Sequence, residues 1–223
     1  MGGGQNYTKY KWLDYRKLLR LILLNPAHEI KIKYFTARVS SSKKNLSRTN
    51  RQQRYWDALK ASDIEIIEGQ HSTDRYVEGR FEGIVNKGTA IAPKCIASPA
   101  CINIGDVVRI KKNFEKQTDV NLGMEVVKDI YENNAECVVL VSNDTDFVPT
   151  LKFSIAKLGR GNVGVVFPVE DDNRSMELQK IVGRFSKVIR EEHLINSMFP
   201  DQVVDANGCA IFNPWLEKKK HRH

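Results

Sequence analysis

Five consecutive apolar residues, Cys137 to Val141, end in Ser142-Asn143 and are followed at once by two carboxylates, Asp144 and Asp146. A short, unbroken, valine-rich run has the pattern of a parallel strand covered by helices on both faces. The spacing of Val148, Leu151, Ile155 and Leu158 predicts a helix directly after it. Strand and helix in immediate succession indicate an α/β protein, with this run as a central strand and Cys137 as a small core residue. Open α/β sheets bind ligands at the carboxyl ends of their strands, so the Ser142–Asp146 junction falls on the edge where function is usually built.

Two aspartates one residue apart repel each other unless something positive sits between them. Hard divalent cations such as Mg²⁺ and Mn²⁺ meet that need with carboxylate oxygens and water. The alternative is structural: Asp146 caps or charge-stabilises the following helix, with Pro149 tolerated in its first turn. Capping accounts for one aspartate and leaves the other unexplained.

Lys and Arg number 35 against 27 Asp and Glu, a net charge of +8, which favours an anionic polymer as partner and nucleic acid before others. The 223 residues suit one α/β domain with an elaboration. The apolar run Leu18 to Leu24 contains Arg20 and is too short to span a bilayer, and no secretory or myristoylation signal is evident, so a cytoplasmic location is expected. Cys95 and Cys101 lie close enough to share a zinc ion, but no second pair completes a tetrahedral site.

In order along the chain, Trp12, Leu13, Leu18, Leu19 and Ile22 predict an amphipathic helix ending near Pro26, with Arg16, Lys17 and Arg20 on a solvated face. Glu29–Phe35 reads as a strand. Arg38 to Arg54 carries Arg38, Lys43, Lys44, Arg48, Arg51 and Arg54 and no acid, and leaves the strand on the edge that also holds Asp144 and Asp146. A helix from Arg51 through Leu59 and a strand Ile64–Ile67 follow. Between residues 70 and 117 an antiparallel ribbon of Arg75–Ile84 with Ile104–Ile110 surrounds a long loop, and basic residues including Lys116 make it a candidate cover for a substrate groove. A helix then starts at Thr118-Asp119 with Val120, Met124, Val127 and Tyr131 on one face. Val163–Phe167 is a second buried strand, followed by Glu170-Asp171-Asp172 on the active edge, and Met176–Ile189 is the last helix. The remainder, to the basic end at residues 218–223, reads as irregular.

Lys116-Gln117-Thr118-Asp119-Val120, followed one helix and one strand later by Ser142-Asn143-Asp144-Thr145-Asp146-Phe147-Val148-Pro149, resembles the NYN domain, a family of the PIN-like nuclease superfamily that includes the LabA-like proteins. Tyr10–Asp14, Arg51-Gln52 and the 200–215 region are similar to one bacterial branch. The resemblance implies a three-layer α/β/α sandwich with a mostly parallel, Rossmann-like sheet over residues 1–190, a ribbon insertion near 70–117, and a carboxyl-terminal extension from 191 to 223. It further implies metal-dependent RNA cleavage, with Asp119, Asp144 and Asp146 holding Mg²⁺ or Mn²⁺ and acting as the catalytic acids. The basic run on the same edge and the insertion offer Lys43, Lys44, Arg51, Arg54 and Lys116 to grip the phosphates. Single-stranded RNA is the expected partner, and a homodimer is compatible with the chain.

The departure is at the start. Family members open with an apolar strand running into Asp-Gly-x-Asn, where the Asp is a further metal-site carboxylate; here Gly3 stands in its place, Asn6 is a remnant of the motif, and the strand before it is missing. Two readings from different classes follow: a metal-dependent ribonuclease, or an RNA-binding adaptor that kept the basic groove and lost activity. A phosphatase or sugar transferase with an Asp-x-Asp pair is a third, but the phosphatase carries its pair after the first strand of the domain, not late as here.

Overall fold

The computed structural model describes residues 7–23, 29–39, 46–80, 107–169 and 171–216. Gly3, Asn6, Lys43, Lys44, Cys95, Cys101, Glu170, the loop at 86–103 and the basic end lie outside them.

The helix predicted from Trp12 begins only at Tyr15, because the Asp14 carboxylate accepts the Arg16 and Lys17 amides at 2.9 and 3.1 Å and caps it. This helix, α1 (Tyr15–Leu23), leads to β1 (Ile32–Ala37), α2 (Leu46–Ala61) and β2 (Ile64–Arg80), which pairs parallel with β1. Strand β2 outruns the sheet. Its second half pairs antiparallel with β3 (Val107–Lys116), from Gln70↔Lys116 to Arg80↔Val107, so the ribbon grows out of a sheet strand.

Then come α3 (Thr118–Tyr131), β4 (Val138–Val141), α4 (Val148–Leu158), β5 (Val163–Phe167), α5 (Met176–Val182) and β6 (Ser186–Val188). Strands β4, β5 and β6 form a parallel sheet in that order. The single helix expected to Ile189 is divided, since Gly183 at φ 66° ends α5 and the chain turns into β6.

The connectivity is α/β, with helices on both faces of mostly parallel strands. On one face α4 and α5 cover Leu140, Val163, Val165 and Phe167; on the other α1 covers Val139 and Val166. Helix α2 packs with α1 over Ile32 and Ile64.

Strand β4 is not central among the described residues. It lies at the edge of its sheet, Val141 is 38% exposed, and Cys137 is exposed just before it, in contrast to β5, whose five residues are all buried. Among the described residues no strand lies on its outer side, where its composition anticipates one.

Arg16, read as solvated, is structural, and so is Lys33. Arg16 donates to the carbonyls of Ser62 (2.6 Å), Ile30 (3.0 Å) and Asp63, and pairs with the Asp63 carboxylate, pinning α1 to the starts of β1 and β2. Lys33 of β1 reaches Glu125 at 2.7 Å and Asp129 at 2.6 Å on α3. With α3 tied in this way, Val120, Met124 and Tyr131 of the expected stripe face solvent and Val127 is half-buried, while Leu122 and Ile130 face in.

The tail is also ordered by packing. Helix α6 (Glu191–Asn196) and the hairpin of β7 (Gln202–Val204) with β8 (Ala210–Phe212) return to Trp12, which is buried against Tyr55, Phe199 and Trp215. The indole N–H donates to the Pro200 carbonyl at 2.7 Å, and the Phe199 amide donates to the Trp12 carbonyl at 3.0 Å.

Burial opposes the charge on Lys33, but hydrogen bonds and attraction from Asp129 and Glu125 outweigh it and raise its pKa above the ordinary lysine value. A raised folded pKa stabilises fully below the unfolded value and is lost as pH climbs through the folded one. Lys33→Met, which removes the partner of half-buried Asp129 and leaves Glu125 only its longer pair with Lys128 at 3.8 Å, is therefore expected to cost about 2–3 kcal/mol in urea denaturation. The difference from the parent should hold at neutral pH and shrink only above about pH 10.4.

Candidate functional site at the carboxyl edge

Strands β1, β4 and β5 end on one edge of the molecule, and the predicted acids stand there. After Val141 the chain makes a compact turn: the Asp144 amide donates to Ser142 Oγ at 3.0 Å, and the Asp144 carboxylate accepts the Asp146 amide at 3.0 Å. The capping residue of the pair is thus Asp144, not Asp146 as the position of Pro149 suggested. Both carboxylates are exposed.

Asn143 is a positioning residue that the sequence reading passed over. Its Nδ2 donates to the Asn173 carbonyl at 3.0 Å and its Oδ1 accepts the Ser175 amide at 2.7 Å. This clamp joins the turn after β4 to the turn after β5, holding exposed Asp172 on the same edge. The run Ser-Asn-Asp after a strand was the available signal, since Asn serves turns through such side-chain bonds.

Asp119 occupies the first turn of α3, exposed, and lines a concavity of about 250 Å³ with Gln117, Thr118 and Val120. Gln117 adopts φ 71° to turn the chain from β3 into this helix. Helices α3 and α4 approach closely through Gly123, where a Cβ would come within 3.2 Å of Thr150 Oγ1. Asp119 lies one turn before Gly123 and Asp146 four residues before Thr150, so the two acids head adjacent helices on one edge.

The chemistry of these donors suits Mg²⁺ or Mn²⁺, which bind carboxylate oxygen. Their grouping does not complete a site: among the described residues no three His, Cys, Asp or Glu side chains gather closely enough to hold a metal ion. The three acids share an edge without closing into a ligand set.

The basic segment is only partly a loop. Arg48 and Arg51 lie on the first half of α2 and Arg54 just past its middle, and Gln52 fixes the helix to the end of β1 by donating to the Ala37 carbonyl (2.9 Å) and accepting the Val39 amide (2.8 Å). Arg38 is committed elsewhere, held by Glu68 at 2.9 Å and lying over Trp56. Lys116 ends β3 at the base of the ribbon, opposite Gln70.

A larger concavity, about 480 Å³, opens at the opposite edge among Arg16, Ile30, Lys31, Lys60, Asp63 and Glu65. Four of its charges face one another, Arg16 with Asp63 and Lys31 with Glu65 at 3.9 Å, and none of the predicted acids lines it. The carboxyl edge is the stronger candidate.

Because Asp144 holds the turn and Asp146 only projects from it, truncation should separate them. Asp144→Ala is expected to lose about 1 kcal/mol as a lost cap, whereas Asp146→Ala should stay within about 0.5 kcal/mol of the parent, as an exposed substitution does. Chemical denaturation of both variants checks this.

Residues 4–189 match the model of the NYN domain. Among curated proteins, the chain is 30% identical over 187 residues to 6-hydroxy-3-succinoylpyridine 3-monooxygenase HspA of Pseudomonas putida (strain DSM 28022 / S16). The match covers 75% of this chain and 56% of that protein, so the chain spans about half the length of the curated relative it matches. No solved structure gives a significant match. The family match runs from before α1 to the end of β6, over α/β connectivity of the kind the resemblance implied, and the chain belongs to the NYN domain family.

Proposed function

We propose that the protein acts on RNA at the carboxyl edge of its strands, as a nuclease of the NYN type that uses Mg²⁺ or Mn²⁺. The observation that carries the reading is the place of Asp119, Asp144 and Asp146 at strand and helix ends on the edge where β1 ends and α2, which bears Arg48, Arg51 and Arg54, is fixed to it by Gln52. Arginines that grip phosphates beside acids that attract a divalent ion suit a phosphodiester backbone.

The adaptor reading draws support from one observation, the incomplete acid grouping. On either reading RNA lies across the same edge; the two differ in whether the bond is broken. The relative's name describes a monooxygenase, but no residue at this edge favours that chemistry here.

Mn²⁺-dependent cleavage of single-stranded RNA is the test. Weak activity is expected from the chain, and Asp144→Asn and Asp146→Asn should each lower it by at least about 10-fold, the smallest loss usual even for outer-sphere changes at metal sites. RNA bound but never cut in Mn²⁺ would establish the adaptor. Cleavage equally fast in chelator and in both variants would remove the acids from the chemistry, and conversion of 6-hydroxy-3-succinoylpyridine without RNA binding would replace the reading altogether.

Affinity for RNA should fall steeply with salt, since phosphate contacts release counterions. Neutralising Lys43, Lys44, Arg51 and Arg54 together is expected to flatten the log–log slope by up to about three units. An unchanged slope would move the groove to the ribbon.

A further inference from the structure

Helix α3 presents to solvent a stripe that its inward packing does not use. Val120, Met124 and Tyr131 are 66%, 62% and 66% exposed, and Val127 between them is half-buried. Single exposed apolar side chains are ordinary on a protein surface, whereas a contiguous row marks a contact face. The inward side of the helix is already occupied: Leu122 packs against the cluster of Leu140 and Val165, Glu125 and Asp129 hold Lys33, and Ile130 is buried.

The spacing of the stripe indicates the kind of element that covers it. Val120, Met124, Val127 and Tyr131 succeed one another by four, three and four residues, the seam of a heptad pattern, which another helix laid along α3 would fill. Strands present alternate residues and do not match that period. Helix α4 widens the face on one flank. It approaches α3 where Gly123 meets Thr150, and farther along Tyr131 stacks on Phe153 with ring centres 6.0 Å apart while Lys157 Nζ lies 5.4 Å from the Tyr131 ring. Exposed Lys128 borders the other flank.

Charge indicates which helix. The Val120 end of the stripe adjoins Asp119 and Asp146 at the heads of α3 and α4, and the Tyr131 end carries Lys128 and Lys157 with one exposed acid, Glu132. A second copy turned end for end sets each acidic end against a basic one; a parallel copy sets like against like.

We infer that α3 pairs antiparallel with α3 of a second copy of this chain, about a two-fold axis between Met124 and Val127. Val120 then meets Tyr131 of the other copy and Met124 meets its Val127, an isologous contact of the kind that closes a dimer. One stripe is less than the about 800 Å² that each partner gives to a standard interface, so the α4 flank takes part and the dimer dissociates on dilution. Asp119 stands five residues before Met124, about 140° around the helix, which keeps it outside the seam. The pairing therefore goes beyond the RNA reading and leaves the carboxyl edges accessible, opening in opposite directions.

Sedimentation velocity of the full chain without RNA, over a range of concentrations, should show a monomer–dimer equilibrium. The two Met124 positions lie roughly 5 Å apart along the paired helices, so Met124→Glu sets like charges together and should weaken the dimer at least about tenfold, as loss of a central apolar contact does. Met124→Lys should do the same alone, and an equimolar mixture of the two variants should recover the dimer because each charge then meets its opposite. A parent chain that stays monomeric throughout would overturn the pairing, as would a dimer that neither variant weakens or a mixture that remains monomeric. A monomeric parent whose RNA affinity falls in Tyr131→Ala would give the face to nucleic acid instead.

Discussion

Among the described residues parallel pairing stops at β1 and again at β4, and the two sheets are tied to each other by the helices packed on both. Helix α1 is pinned at one end by the Arg16 fork on the carbonyls before β1 and β2, and it buries Leu18, Leu19 and Ile22 against both sheets. Helix α3 is tied to β1 by the Lys33 ion pairs and to the second sheet by Leu122. Trp12 then locks the tail over α1 and α2. A sheet ladder would fix strand positions directly; helices fix them through side chains, which tolerate more movement.

This has a consequence for the chemistry. The acids stand where strands end and helices begin, and their spacing follows from how the two sheets are held. Asp144 and Asp146 are set by one tight turn and Asp119 by the packing of Gly123 on Thr150. Sites that act on a bound ion need positions held within about half an ångström, and among the described residues these three acids share an edge without gathering into one group.

Much of this was legible in the sequence. The valine runs at 137–141 and 163–167, the helix between them and the acids at strand and helix ends are local patterns, and each falls where periodicity put it within a residue or two. Pairing order is not local, so the edge position of β4 and the exposure of Cys137 could not be read from its composition. Helix α3 carries apolar residues on two stripes, and the choice between them is made by Lys33, ninety residues earlier in the chain. Arg16 was read as solvated because sequence does not reveal carbonyls left unpaired by a distant turn. Likewise the tail lacks periodicity of its own and owes its hairpin to the aromatic cluster around Trp12. The identity of the capping aspartate turned on a single hydrogen bond, from the Asp146 amide to Asp144.

The central claim is that the ligand meets the protein at the carboxyl edge, and photocrosslinking of single-stranded RNA with mass-spectrometric mapping tests it most directly. The account predicts crosslinks on the first half of α2 around Arg51, on the turn from Ser142 to Phe147, and at the start of α3. Crosslinks concentrated instead around Arg16, Lys31 and Lys60 at the opposite edge would contradict it.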